Sequence, residues 1–268
     1  MESENRCGGA RAIAIASHGN ERLMLKAVFF DAAGTIFDAR QPVGRSYARL
    51  AREFGVDTGE EAVSAAFRRV FHAAPPLAFG VGHPPAELRR LERQWWRARV
   101  ADTFAGLGEF SDFDAYFDAL FAFFADPAHW RADDEAPALL ARLKESGFAL
   151  GVISNFDARV YRILDGLGLA RFFDSITISS EVGFAKPSPR LFEAALSKHS
   201  LAPDQALHVG DSVAFDICGA AAARIPAVLI DPHGQHSLDG LVPAGRRVTS
   251  LAAVLEIIRR TEILDLRS

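Results

Sequence analysis

Four polar side chains, each in a loop that follows an apolar run, are the best candidates for chemistry in this sequence: Asp31, Ser154, Lys186 and Asp211. Asp31 directly follows the apolar run 27–30 and precedes a turn at Gly34. A buried strand has no packing use for a carboxylate at its end, whereas the carboxyl edge of a parallel sheet can display that group as a nucleophile. Taken alone, Asp31 would serve equally well as the cap of the following turn.

The other loops also carry residue types that suit a phosphate and a metal ion. Ser154 and Asn155 begin a predicted helix, where free backbone N–H groups favour an anion, although either residue could simply cap that helix. Lys186 lies beside two prolines that restrict its backbone, although an isolated lysine is usually a solvated surface group. Asp211 and Asp216 offer the oxygen ligands that Mg²⁺ prefers, and helix capping is again the alternative.

An alternation of apolar runs and helical patterns predicts how these loops are positioned. After residue 132, helices are predicted over 134–146, 158–167, 189–199, 213–223 and 251–260, and strands over 148–153, 176–178, 206–209 and 227–230. Such alternation implies βαβ units and a parallel sheet. Right-handed crossovers would bring all four loops to one edge of that sheet.

Residues 39–131 have a different character, because helix signals dominate there. One stripe at helical spacing, predicted to be a packing face, contains Phe113, Phe117, Leu120, Phe121 and Phe124. We therefore predict an α/β protein whose Rossmann-like parallel sheet core comprises residues 24–38 and 132–268, with an all-helical cap, residues 39–131, inserted between them. Residues 1–23 show no sustained periodicity and are expected to be a disordered leader.

Composition excludes several classes of function. The 268 residues are 49% apolar and 24% charged, with a formal net charge of −4, so a polyanionic partner such as nucleic acid is not expected. The apolar runs all fall short of the roughly 20 residues of a membrane span, and cysteine and histidine do not occur at zinc-site spacing. We expect a cytoplasmic protein that acts on a small molecule; the sequence makes no prediction of oligomeric state.

In this order, the four loops closely resemble the motifs of the haloacid dehalogenase-like hydrolase superfamily. The resemblance spans about residues 25–257, including a cap between the first and second motifs. Several stretches are similar to the type-3 haloacid dehalogenase-like hydrolase domain-containing group: Gln94-Trp95-Trp96, Ile153-Ser154-Asn155-Phe156-Asp157, Phe172-Phe173-Asp174, Lys186-Pro187-Ser188-Pro189-Arg190 and His208-Val209-Gly210-Asp211.

The resemblance implies a role for each matching residue. Asp31 would attack the substrate and form a covalent aspartyl intermediate, while Ser154 and Asn155 hold the phosphoryl oxygens. Lys186 would neutralise charge between the phosphate and Asp31. Mg²⁺ would be held by a set of four residues: Asp31, the backbone carbonyl of Ala33, Asp211 and, directly or through water, Asp216. The expected activity is that of a Mg²⁺-dependent hydrolase, a phosphatase acting on a small phosphorylated metabolite.

One position departs from the family pattern. Most phosphatases of this family carry a second aspartate two residues after the nucleophile, which protonates the leaving oxygen, and this chain has Ala33 there. General acid–base catalysis contributes about 10²–10⁴-fold, so the phosphatase would be weakened or specialised. A histidine of the cap could replace the acid: His72, His83 or His129.

Three alternatives follow from Ala33. A 2-haloacid dehalogenase-like displacement needs no proton for the leaving halide, which Arg40 or Arg45 would have to receive. A phosphonoacetaldehyde hydrolase also has alanine at this position but needs a lysine in the cap, and residues 39–131 contain none. A third alternative is a catalytically impaired protein that binds phosphate or a partner. Restoring aspartate at position 33 distinguishes a weakened phosphatase from the others.

Overall fold

The computed structural model describes residues 25–234 and 246–259. The leader expected over residues 1–23 lies outside them. The strands are β1 Ala27–Phe30, β2 Phe37–Ala39, β3 Trp130–Ala132, β4 Ala149–Ser154, β5 Ser175–Ile178, β6 Ala206–Gly210, β7 Ala227–Ile230 and β8 Arg247–Val248. Six of them form one parallel sheet in the order β5-β4-β1-β6-β7-β8, and β2 pairs antiparallel with β3. The predicted α/β class is confirmed.

Strand β1 lies between β4 and β6 in the sheet, and both of its faces are covered. Val28 and Phe30 pack into one hydrophobic cluster, whereas Ala27 and Phe29 pack into a second cluster on the opposite face. All four side chains are fully buried. This continuous apolar pattern is typical of a parallel strand that has helices on both sides of its sheet. Strand β1 therefore ends, at Asp31, between the carboxyl ends of β4 and β6.

The helices alternate with the strands in the second half of the chain. They are α1 Val43–Arg52, α2 Glu60–Ala73, α3 Pro85–Phe104, α4 Phe113–Phe123, α5 Ala136–Glu145, α6 Arg159–Gly166, α7 Ser179–Val182, α8 Pro189–His199 and α9 Cys218–Ala222, and residues 254–259 are also helical. Within the described part of the chain, none of these helices has the length and apolar character needed to cross a membrane.

Helices α1 to α4 form a helical segment, residues 43–123, between β2 and β3. The stripe on α4 is a packing face, as predicted, because Phe117 and Leu120 are only 2% exposed. Phe113 and Phe121 lie at the edge of the same cluster. That this segment works as a separate cap domain stays a prediction.

The predicted helix over residues 213–223 is not a regular α-helix. It starts with a π-helical turn, Val213–Ile217, and only then continues as α9. Asp216 lies in this turn, and one of its carboxylate oxygens accepts a hydrogen bond from the backbone N–H of Ser212 at 3.0 Å. The π-helical turn therefore places the carboxylate of Asp216 close to the residues that follow β6.

Candidate active site

Asp31 is held rigidly at the carboxyl end of β1. Its backbone N–H donates to the carbonyl of Val209 on the neighbouring strand β6 at 2.9 Å. Its side chain is nearly buried, and Oδ1 lies 2.7 Å from Nζ of Lys186. Burial raises the pKa of Asp31, and the nearby Lys186 opposes that rise. The carboxylate therefore depends on a neighbouring cation to remain ionised.

Lys186 supplies that cation from a buried position. Its Nζ lies 2.7 Å from Asp31 and 2.6 Å from Oδ1 of Asp216, so one ammonium group is shared by two carboxylates. Burial alone would lower the pKa of Lys186, but the charges of Asp216 and Asp31 together raise it above its ordinary value. The side chain therefore stays protonated and holds a fixed positive charge beside the candidate nucleophile.

The backbone of Lys186 is positioned by Asn155. Oδ1 of Asn155 accepts from the Lys186 N–H at 2.7 Å, and Nδ2 of Asn155 donates to the Lys186 carbonyl at 3.1 Å. These two bonds tie the loop after β4 to the lysine loop. Asn155 therefore has a positioning role that the sequence did not indicate, with one amide hydrogen remaining for the predicted contact with phosphate.

Asp216 is completely buried, and protein donors occupy both of its oxygens. Oδ1 accepts from Lys186 and lies 2.9 Å from Nε2 of His208, while Oδ2 accepts from Ser212. Burial by itself would raise the pKa of Asp216, but Lys186 and His208 hold it well below its ordinary value. Asp216 is therefore first an anchor for Lys186, and any contribution to a metal ion comes from an already satisfied carboxylate.

Three carboxylates nevertheless come together here. Ligand atoms of Asp31, Asp211 and Asp216 lie within 4.8 Å of one another. Burial, together with the charges of Asp31 and Asp216, raises the pKa of Asp211 to about 7. Oxygen-only ligands at this spacing suit Mg²⁺, and a divalent cation would relieve their mutual repulsion. The residues present therefore fit the metal ion implied by the sequence.

The turn after Asp31 leaves room for this cluster. Gly34 has a φ of 90°, and a Cβ at this position would lie 2.7 Å from Oδ2 of Asp211. Next to it, Oγ1 of Thr35 donates to Oδ1 of Asp211 at 3.2 Å. Ala33 is half-buried and bridges to Phe37 across the turn. Glycine is thus required here both for its backbone angle and for the approach of Asp211.

Ser154 lies at the end of β4, next to β1, and is only 3% exposed. Within residues 25–234 and 246–259, its hydroxyl group makes no hydrogen bond. Its position at the same edge as Asp31, Lys186 and Asp211 agrees with the predicted phosphate contact, which stays a prediction.

Two residues with clear roles were not assigned one from the sequence. His208 and Thr35 orient Asp216 and Asp211 respectively. His208 stands inside the recognised motif, but an apolar strand gives no signal that its imidazole faces a carboxylate. Of the cap histidines, His83 contacts the carbonyl of Phe79, and His129 stacks on Phe123 at 3.5 Å, so these two are engaged away from Asp31.

Comparisons with known proteins agree with this geometry. A family model described as haloacid dehalogenase-like hydrolase matches residues 25–224. Haloacid dehalogenase-like hydrolase domain-containing protein 3 of Mus musculus is 35% identical over 82% of this chain and 87% of its own length. Phosphoserine phosphatase of Thermus thermophilus is 33% identical over 71% of this chain and 82% of its own. The crystal structure of 2-haloacid dehalogenase from Pseudomonas syringae, 25% identical, covers 88% of this chain and 99% of its own with a TM-score of 0.60.

Proposed function

Because this chain belongs to the haloacid dehalogenase-like hydrolase family, we propose that it is a Mg²⁺-dependent phosphatase whose nucleophile is Asp31. The observation that supports this most directly is the buried contact chain Asp31–Lys186–Asp216, with Asp211 beside it. Lys186 lies 2.7 Å from the Asp31 carboxylate, where its positive charge favours the ionised form that a nucleophile needs. The substrate is a small phosphorylated metabolite, and the cytoplasmic location expected from the sequence stays a prediction.

The reaction follows from the chemistry of these side chains. A carboxylate oxygen of Asp31 attacks phosphorus, the bond from phosphorus to the leaving oxygen breaks, and an aspartyl phosphate forms. Water then cleaves this mixed anhydride, which releases phosphate and regenerates the carboxylate. Lys186 holds a fixed positive charge against the oxygens of the phosphoryl group in both steps, and Ser154 donates a hydrogen bond to one of them.

The metal ion would be held by the carboxylates of Asp31 and Asp211 and the backbone carbonyl of Ala33, with Asp216 in support. When bound, Mg²⁺ supplies positive charge that neutralises phosphoryl oxygens and offsets the repulsion between carboxylates. Thr35 keeps one oxygen of Asp211 oriented, and Lys186 keeps Asp216 from turning away.

Ala33 decides which phosphates react well. Alanine has no proton to give, so the leaving oxygen must depart as an anion or take its proton from water. An alkoxide leaves poorly, while phenolates and carboxylates leave readily. The proposed phosphatase is therefore slow on alkyl phosphates, and residues 39–131 act as a cap that closes over the cleft and selects the substrate.

The dehalogenase alternative needs a cation in the cap to receive halide, and the two candidates do not support it. Arg45 forms an ion pair with Glu60 at 2.8 Å and a hydrogen bond to Gln41, and its side chain is 55% exposed. Arg40 is exposed as well. The carboxylate cluster of Asp31, Asp211 and Asp216 also favours a metal-assisted reaction on phosphate over displacement of halide.

A substrate panel tests the proposal. Release of phosphate and of halide is measured with and without Mg²⁺ for the wild type, for Asp31→Asn and for Asp38→Asn, which makes the same change at an exposed residue seven positions away. We expect phosphate release that requires Mg²⁺, is abolished by Asp31→Asn and is retained in Asp38→Asn. Phosphate release that persists without Mg²⁺ and in Asp31→Asn would refute the mechanism, and halide release would support the alternative.

A further inference from the structure

An aromatic cavity lies between the helical segment and the loop that follows β4. It has a volume of about 80 Å³ and is partly open to solvent. Its walls come from α1 to α4, β3, the loop after β4 and the start of α6, and they include Val43, Tyr47, Trp96, Phe121, Phe156 and Arg159. An enclosed apolar cavity of about 150 Å³ binds benzene, so this smaller, open one has room for part of a single ring.

Two polar groups face this apolar space. Tyr47 is 2% exposed, and its side chain forms part of the cavity wall. Arg159 stacks over the rings of Trp96 and Phe121 at 4.7 and 4.2 Å. Its Nε and Nη2 bind Asp157, which leaves the Nη1 group free of that ion pair. A tyrosine hydroxyl and a guanidinium donor in an otherwise apolar wall suit a ligand that carries a hydrogen-bond acceptor.

One wall of the cavity belongs to a loop of the candidate active site. Phe156, one of its walls, directly follows Asn155, which holds the backbone of Lys186. The ring of Phe156 also contacts those of Phe37 and Trp130 at 6.4 and 6.1 Å. Phe37 closes the turn that starts at Asp31, because its carbonyl accepts from the N–H of Gly34. Phe156 therefore links the cavity wall both to the loop that holds Lys186 and to the turn that follows Asp31.

We propose that the cavity binds the leaving group of the substrate, and that the substrates are aryl phosphates whose single ring carries a hydrogen-bond acceptor. This inference rests on the proposed phosphatase activity. Two independent features support the same class: Ala33 favours a leaving oxygen that departs without a proton, and the apolar walls favour a flat apolar body. A phenolate meets both requirements, and an acceptor on its ring would bind Tyr47 and Arg159.

Binding is tested with stable analogues, so that the result does not depend on turnover. The dissociation constants of benzylphosphonate, 4-carboxybenzylphosphonate and ethylphosphonate are measured in the presence of Mg²⁺ by calorimetry. We expect benzylphosphonate to bind about tenfold more tightly than ethylphosphonate, and the carboxylated ring to bind more tightly still. The variant Tyr47→Phe should remove the preference for the carboxylated ring.

A cavity-filling variant gives the second readout. Val43 is half-buried at the cavity wall, so Val43→Phe places a ring in the space, while Val81→Phe makes the same change at a residue that is 73% exposed. The ratio of kcat/KM for phenyl phosphate to that for acetyl phosphate, a small substrate with a good leaving group, should fall about tenfold in Val43→Phe. It should not change in Val81→Phe, and thermal melting verifies that both variants fold.

The outcomes separate the two proposals. Turnover of acetyl phosphate together with equal affinity for benzyl- and ethylphosphonate would overturn the cavity assignment and leave the phosphatase intact. Ring-selective binding that Val43→Phe removes, without turnover of any phosphate, would support the cavity and overturn the phosphatase. Failure of both measurements would overturn both.

Discussion

The substitution Ala33→Asp should convert a slow phosphatase into an efficient one, because it places a proton donor two residues after Asp31. General acid catalysis is worth about 10²–10⁴-fold, which corresponds to about 3–5 kcal/mol of barrier at about 1.4 kcal/mol per tenfold change. The gain should depend on the leaving group. We expect it to approach this range for an alkyl phosphate and to stay within about threefold for acetyl phosphate, whose leaving group needs no proton.

The surroundings of position 33 suggest that the new carboxyl would be protonated when it is needed. It would lie near Asp31 and near Asp211, which is already close to Gly34. Two like charges about 6 Å apart repel by about 3 kcal/mol at an effective dielectric constant of about 20. That repulsion would raise the pKa of the new carboxyl above the ordinary value of an aspartate, and Lys186 would offset part of the rise.

The assay is kcat/KM for an alkyl phosphate and for acetyl phosphate, measured in the wild type, in Ala33→Asp and in Ala33→Asn. Asparagine has nearly the same shape as aspartate but has no acidic proton, so it controls for size and polarity. An equal gain in Ala33→Asn, or a gain in Ala33→Asp that is the same for both substrates, would refute the reasoning.

Two further substitutions test the metal site and the ion pair between Asp157 and Arg159. Gly34→Ala should weaken Mg²⁺ activation by about tenfold or more, because the new Cβ would meet Asp211. Gly80→Ala is the control: Gly80 has a comparable φ of 77°, and a Cβ there would meet nothing within 4 Å. It should cost only about 1–2 kcal/mol of folding stability. If both variants need the same Mg²⁺ concentration, the contact is irrelevant. Burial alone would raise the pKa of Asp157, but Arg159 lowers that pKa below its ordinary value of 3.8. The ion pair therefore stabilises the fold fully at pH values above 3.8, and this stabilisation is lost as the pH falls through the lowered pKa. Asp157→Asn should therefore lower the free energy of unfolding, measured by urea titration, by up to about 3–5 kcal/mol at pH 7 and by less at pH 3. An equal loss of stability at both pH values would contradict this.

The sequence predicted both the sheet and the edge at which its loops meet, because the order and direction of the strands determine where each strand ends. Once β1, β4 and β6 are parallel neighbours, the residues that follow them share one edge whatever their side chains are. That is why Asp31, Ser154 and Asp211 could be expected in one place, with Lys186 in the loop that comes after β5. Their roles in the reaction stay predictions that the experiments above address.

The partners of individual atoms were less predictable. Asp216 was expected near the metal, yet its oxygens bind Lys186, His208 and Ser212, because the π-helical turn carries it back over Gly210. Helical periodicity contains no signal for such a turn. The aromatic cavity was also missed, since its walls come from seven separate elements and only their packing leaves the space.

The short stretch from Ser154 to Arg159 connects the two parts of the molecule that the proposals concern. Ser154 ends β4 beside β1, Asn155 holds Lys186, and Phe156 forms a wall of the aromatic cavity. Asp157 accepts a hydrogen bond from Nε1 of Trp96 on α3 at 2.5 Å, and it forms an ion pair with Arg159 at 2.6 Å.

A ring that enters the cavity therefore contacts Phe156, which directly follows the residue whose side chain positions Lys186. Tight packing transmits such displacements, because protein interiors have few voids to absorb them. Cavity-filling variants should consequently change kcat as well as KM for aryl phosphates. An effect confined to KM would mean that the cavity and the reacting groups act independently, with residues 154–159 serving only as a rigid wall between them.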